Sequence, residues 1–391
     1  MSESEDFHGG IGDWPVWTGP VARRSSVADV RPRRPFAFQG APVRRSSPAT
    51  SGPLRILHAA FCERVSGSSR YICDLSARQT GDGHTVAVAL PRRGGGVSIY
   101  DSLPADVDVF PTLPTLSGLH WLGLARAIWA FRPDIVHFHD GRGPAAIRWI
   151  PGRPASVITL HLGYKKTMSP ADGLVRIAPW QALGTYRGLV AEAPNWRLTP
   201  TPVTQAQIQD LRALAGAEPD DFLIGCVGRL HPAKGADVLL DAFQQVHWPK
   251  ARLVFVGDGA ERQALEAKAQ DPRVRFVGFR TDVDAWYRSI DALAAPSFMD
   301  QFGMVLVEAM GAGLPIAAAA NKGALQTLRG QPVGLFDPGD VQGLSHILED
   351  WREVRPGKAA YDLSAFGPEA PVAAIRALYR QAMAARRALA L

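Results

Sequence analysis

No stretch of the 391-residue chain stays apolar for the ~20 residues that a helix needs to cross a bilayer. Cysteine is scarce as well. Its three copies, Cys62, Cys73 and Cys226, show no CxxC spacing and form an odd set. That usage argues against a disulfide framework and fits a reducing compartment. The opening MSESEDF is acidic and has no apolar h-region, so a secretory leader is not expected and a cytoplasmic location is. Several chemistries lack their signatures. There is no GxxxxGK[ST], the glycine run at Arg92–Gly96 lacks GxGxxG spacing after a strand, and no G-x-S-x-G elbow occurs. P-loop phosphate transfer, a dinucleotide fingerprint and a serine hydrolase triad are thereby set aside.

What is present begins with charge. A formal net charge of +6 and a pI near 9.4 point to anionic ligands or surfaces. Residues 1–50 have no apolar period, are rich in Pro, Gly and Ser, and run from early acids (Glu3, Glu5, Asp6, Asp13) to arginines between Arg23 and Arg45. This composition predicts a disordered tail. Its basic part could lie on anionic lipid, each Arg adding about 1 kcal/mol, or could simply be a solvated extension. Nucleic-acid binding by the tail would rest on charge alone and is not expected.

From residue 54 onward short apolar runs alternate with longer mixed segments. LRILHAA (54–60), HTVAVAL (84–90), VDVF (107–110), DIVHFH (134–139) and SVITLH (156–161) read as strands, with helices over 69–80 and 116–131. The pattern pauses at the three-proline segment PNWRLTPTPVT (194–204), a predicted hinge. It restarts with FLIGCVG (222–228), ARLVFVG (251–257), VRFVGF (274–279), IDALAAPS (290–297) and PIAAAA (315–320). The expectation is an α/β protein: a tail over 1–50, one parallel-sheet domain over 51–203 and a second over 204–391. In such sheets ligands bind beyond the carboxyl ends of strands.

Those ends carry charge in a telling order. GRLHPAKG sets Arg229 and Lys234 in one loop ahead of a helical stretch, an arrangement suited to phosphate. Arg280 follows the next-but-one strand. Asp300 then precedes MVLVEAM, in which Glu308 is the lone charge of an apolar helix that closes on Gly311, Gly313 and Pro315. A carboxylate in that setting is costly to bury unless something donates hydrogen bonds to it. His137 and His139, two apart on one strand and followed by Asp140, suggest a metal cluster, but no third spaced ligand is evident and no metal is expected.

The motifs GRLHPAKG, VFVGDG (254–259), VGFR (277–280) and an acid pair spaced as E-x7-E resemble the donor-binding domain of retaining family 4 glycosyltransferases. LRILHAA, GDGHTVAVAL, RPDIVHFH and SVITLH resemble that family's acceptor domain more loosely, so the resemblance spans roughly residues 54–391. It implies the GT-B fold, two Rossmann-like domains facing each other across a cleft, with the last helix crossing back to the first. It also implies a nucleotide-diphosphate sugar as donor, a glycan or lipid-linked acceptor and no cofactor. By family habit that acceptor is membrane-borne, which implies peripheral contact with anionic membrane and a part in cell-surface polysaccharide or lipopolysaccharide synthesis. Arg229 and Lys234 would neutralise the diphosphate in place of a metal, and Glu308 would hold the ribose hydroxyls. Asp300 would contact the transferred sugar, with the amides of Gly303, Met304 and Val305 facing sugar and diphosphate. Phe279 and Arg280 would hold the base. Gly67 would belong to the glycine loop of the first domain, and His161 would touch the sugar from that side and support the transition state.

Departures from the family pattern are visible. Asp300 replaces a Glu, Gln301 a Gly, and Gln326 stands where a Glu is frequent. SGSS (66–69) keeps only Gly67 of a Gly-Gly loop. They motivate the alternative of a catalytically degenerate protein of this fold acting as a binding or scaffold module. The alternative for Glu308 alone is a carboxylate paired with a neighbouring Arg in a structural role.

Overall fold

The computed structural model of the protein describes residues 52–388 apart from 62–65, 93–97, 114–119 and most of 140–152. The tail expected over 1–50, Asp140 and the glycine run after Arg92 lie outside the described residues.

Two wholly parallel sheets organise the chain. The first takes the order β3-β2-β1-β4-β5-β6-β7. Its strands are β1 (Arg55–Ala59), β2 (Thr85–Pro91), β3 (Asp108–Thr112), β4 (Ile135–Phe138), β5 (Ala155–Leu160), β6 (Gly173–Arg176) and β7 (Leu189–Glu192). The second takes the order β10-β9-β8-β11-β12-β13. Its strands are β8 (Phe222–Val227), β9 (Ala251–Val256), β10 (Val274–Gly278), β11 (Ala292–Ala295), β12 (Ile316–Ala319) and β13 (Gly334–Phe336). Each of the ten apolar runs read from the sequence forms a strand. Most are buried on both faces, as helices covering both sides of a parallel sheet require. Strands β6, β7 and β13 escaped that reading because GLVR, LVAE and GLF are too short and mixed to stand out.

Strand order reverses between β1 and β4 in the first sheet and between β8 and β11 in the second. A crevice opens at such a switch point, beyond the carboxyl ends of the strands that flank it. The loops after β8 and β11, which hold Arg229, Lys234 and Asp300, are the loops at the second switch point.

Two helices join the halves. Helix α1 (Gly67–Gly81) follows β1, and Ser66 and Ser69 close a capping box at its start. The chain's last helix, Glu369–Ala388, packs on β5, β6 and β7, and its Val372, Ile375, Leu378 and Tyr379 enter the core of the first sheet. The three-proline segment between the sheets is anchored. Trp196 within it is wholly buried, and its indole N–H donates to Asp74 of α1 at 2.6 Å. Among the described residues no helix is long and apolar enough to cross a membrane.

Candidate functional site

Backbone contacts hold the strand-end loops of the second sheet together. Leu230 N–H donates to the Asp258 carbonyl at 3.0 Å, and Gly257 N–H to the Gly278 carbonyl at 2.9 Å. Phe298 N–H donates to the Ala233 carbonyl at 3.0 Å, which fixes the basic loop against the acidic one. Gly235 makes that approach possible. Its φ is +62°, and a Cβ there would lie 2.3 Å from the Pro296 carbonyl oxygen. Arg229 is exposed and has no ion pair among the described residues, whereas Lys234 donates to Asp300 Oδ1. Lys234 and Asp300, expected from the sequence to face a ligand, thus neutralise each other.

Helix α2 (Met304–Gly311) begins at Gly303, whose φ of +78° turns the chain into the helix with no side chain capping its first N–H groups. Those amides are therefore unclaimed by any capping side chain. Glu308 lies one turn along, with a side chain 10% exposed. Arg70 of α1 donates to its Oε1 at 2.5 Å, and the Tyr287 hydroxyl donates to its Oε2 at 2.9 Å. Arg70 also comes within 3.7 Å of Asp284. Burial pushes the Glu308 carboxyl above its ordinary range, against the pull of Arg70 and Tyr287. The alternative reading of Glu308 as the partner of an Arg thus describes part of what is found, with the Arg coming from the first sheet's helix rather than from a sequence neighbour. A carboxylate has about four lone-pair sites, so two remain for other donors.

Helix α1 supplies a second contact from the next residue. The Tyr71 ring stands edge-on to His161, centroids 5.0 Å apart. Gly67, the first residue of that helix, is exposed. His161 follows β5, where the Gln181 amide donates to the Leu160 and Leu162 carbonyls at 2.8 and 2.9 Å and so pins the peptides on either side of it. Burial lowers the His161 pKa from 6.5 to about 4, so the imidazole is neutral at pH 7. Met304 packs against the cores on both sides of the crevice, and Val305 against that of the second sheet.

Phe279 and Arg280 are differently disposed. Phe279 is 46% exposed. Arg280 is held by Asp282 through bonds of 2.9 and 2.6 Å and stands 5.9 Å from the Trp286 ring centroid. Its guanidinium meets that neighbouring carboxylate rather than the acid pair.

Sequence reasoning missed Arg70, Tyr287 and His58. Arg70 had a signal, since it lies three residues after Gly67 on the first turn of a helix. His58 had the same signal as Glu308: one polar group in the apolar run LRILHAA. His137 and His139 do face one another, with ring centroids 4.4 Å apart. The third imidazole that spacing could not supply is His58 of β1, and ligand atoms of the three all lie within 4.8 Å of one another.

Two family models match adjoining parts of the chain. "Glycosyltransferase Family 4" matches residues 65–220, and "Glycosyl transferases group 1" matches residues 221–352. A phosphatidyl-myo-inositol mannosyltransferase of Mycobacterium leprae is 31% identical over 237 residues, which are 55% of this chain and 63% of that protein. A D-inositol 3-phosphate glycosyltransferase of Mycobacteroides abscessus is 33% identical over 153 residues, 36% of this chain and 33% of that protein. The chain therefore spans less than two thirds of the length of these relatives. Among solved structures, Anabaena HepE in complex with UDP and glucose aligns with a TM-score of 0.63 at 22% identity, covering 86% of this chain and 99% of that one. WaaG, a glycosyltransferase involved in lipopolysaccharide biosynthesis, aligns with a TM-score of 0.58 at 16% identity, covering 84% of this chain and 98% of that one. At these identities the likeness speaks for the fold, which is the two-domain GT-B fold.

Proposed function

The chain belongs to the family 4 glycosyltransferases, with a group 1 domain over residues 221–352, and from that premise we propose that it moves a hexose from a nucleotide-diphosphate sugar to a glycan or lipid-linked acceptor. The carrying observation is the crevice side of the second sheet. There Arg229, which has no ion pair among the described residues, Lys234 with its partner Asp300, and the uncapped start of α2, the helix that carries Glu308, all lie at the second switch point. Arg229 and Lys234 take the diphosphate, where one cation at ~4 Å and an effective dielectric near 20 contributes about 4 kcal/mol before desolvation. Glu308 accepts from the two ribose hydroxyls at the lone-pair sites that Arg70 and Tyr287 leave open.

Asp300 turns from Lys234 to the sugar hydroxyls as the diphosphate takes its place on the lysine. Retention is what the resemblance to retaining family 4 enzymes implies, and with no in-line nucleophile identified among the described residues it proceeds by substitution on one face of the sugar. The bond from the anomeric carbon to the diphosphate oxygen breaks, the acceptor oxygen bonds on the same face, and its proton passes to the departing diphosphate. The protein's share is electrostatic stabilisation of that leaving group in a crevice shut to water.

The anomeric coupling of the product, read by proton NMR beside that of the donor, tests the mechanism. Opposite anomeric configurations would rule out retention. A binding module of the same fold would instead hold the nucleotide sugar and release no nucleotide diphosphate. We place the acceptor in surface polysaccharide or lipopolysaccharide synthesis, with peripheral membrane contact through basic surface, and a vesicle co-sedimentation assay with anionic lipid tests that contact.

A further inference from the structure

Four imidazoles, His161 among them, and three amide or hydroxyl groups form one directed network of hydrogen bonds. Gln79 of α1 sets its direction. The Gln79 Oε1 lies 2.7 Å from His58 Nε2, while its Nε2 donates to the Tyr379 hydroxyl at 3.1 Å. An amide oxygen only accepts, so His58 carries its proton on Nε2 and its Nδ1 is a lone pair. His139 Nε2, 2.9 Å from that lone pair, is then the donor, which leaves His139 Nδ1 as an acceptor. His161 Nε2, 3.2 Å from His139 Nδ1, donates in turn. A side branch agrees. Having accepted from Gln79, the Tyr379 hydroxyl donates to His137 Nδ1 at 2.6 Å, and His137 Nε2 donates to Thr159 Oγ1 at 2.7 Å.

We propose that Gln79, His58 and His139 are positioning residues that hold His161 as the neutral Nε2–H tautomer, keeping its Nδ1 lone pair for a hydroxyl of the donor sugar. The inference rests on the transferase reading for the identity of that hydroxyl, but not for the tautomer itself. Neutrality matters because a sugar ring gains positive character as its diphosphate leaves, and an imidazolium beside it would oppose that charge. The four rings lie at the carboxyl ends of β1, β4 and β5, and His58, His137 and His139 are buried. A proton added to His58 Nδ1 or His139 Nδ1 would leave two donors facing each other across a bond of the chain.

A bound metal is the competing use of the same rings. Two nitrogens ~2.1 Å from a tetrahedral zinc stand about 3.4 Å apart. His58 Nδ1 and His139 Nε2 are at 2.9 Å, and all six ring nitrogens of His58, His137 and His139 already have hydrogen-bond partners.

Two-bond proton–nitrogen correlation spectra of the 15N-histidine-labelled full chain show which ring nitrogen holds each proton. The expected wild-type pattern is Nε2–H on His58, His139 and His161. Gln79→Met removes the acceptor at the far end, and His161 is expected to lose its single tautomer although nothing beside it has changed. Gln79→Glu keeps an acceptor oxygen and is expected to keep the His161 pattern, which serves if the methionine variant does not fold. With a competent donor, Gln79→Met is expected to lower kcat about tenfold with free nucleotide diphosphate affinity unchanged. Nδ1–H on His161 in the wild type would overturn the proposal, as would an unmoved His161 pattern in Gln79→Met. Stoichiometric zinc bound through His58, His137 and His139 would overturn it too. Failure of every nucleotide sugar to react would instead strike at the transferase reading and leave the tautomer result standing.

Discussion

Replacing Glu308 by Gln keeps the side chain's shape and one acceptor oxygen but removes its charge. In the proposed complex, the bonds from two ribose hydroxyls fall from the charge-assisted class, about 1.5–3 kcal/mol, towards the neutral one, about 0.5–1.5 kcal/mol. Free nucleotide diphosphate is therefore expected to bind more weakly by about 1–3 kcal/mol, or roughly fivefold to 150-fold in Kd. The same change leaves Arg70, whose side chain is 26% exposed, without its main anion, so stability falls as well. The calorimetric titration must accordingly be run well below the variant's own Tm. Asp300→Asn has the opposite logic. Asp300 now occupies Lys234, so neutralising it frees a cation for the diphosphate. Affinity for the free nucleotide is expected to hold or rise, while transfer slows because sugar contacts that strengthen in the transition state are weakened. Equal losses in the two variants, or a loss confined to Asp300→Asn, would refute this division of roles.

Arg229→Ala is expected to lower kcat/KM by orders of magnitude with little change in Tm, because an exposed cation without an ion pair contributes little to folding; near-normal turnover would remove Arg229 from the site. Lys234→Ala is expected to show the same loss of turnover, with a larger shift in Tm because Asp300 loses its partner. Activity is expected to persist in EDTA, and a loss restored only by Mg2+ or Mn2+ would contradict a diphosphate held by cations of the chain. Acid is expected to destabilise the fold through the histidine cluster. The folded pKa of His58 is about 4 against 6.5 when unfolded, so the unfolded chain takes the proton first as pH falls. The stability it confers is complete above 6.5 and is lost between 6.5 and about 4, about 3 kcal/mol for this ring alone at about 1.4 kcal/mol per pH unit. A urea midpoint that does not move between pH 7 and pH 4.5 would contradict it.

Local chemistry explains what the sequence disclosed and what it hid. Strands such as FLIGCVG and ARLVFVG were legible because burial on both faces demands unbroken apolar runs. The acid pair and the basic loop were legible because isolated charges at strand and helix ends have few structural uses. The partners of Glu308 were not, since Arg70 is 238 residues away and reaches it only through the packing of α1 across the crevice. The same holds for the histidine chain. His137 and His139 share a strand and stood out, but His58 and Gln79 arrive from β1 and α1, and Tyr379 from a helix at the far end of the chain. Spacing reports neighbours along one element. It says nothing of which elements meet.

The account stands most directly on one measurement: nucleotide diphosphate release from a panel of nucleotide sugars, followed for the wild-type chain and for Arg229→Ala. The prediction is that at least one donor is turned over above its rate in buffer, that the same donor raises the Tm of the protein, and that Arg229→Ala abolishes the turnover. A panel in which no nucleotide sugar is turned over or stabilises the chain would contradict the account.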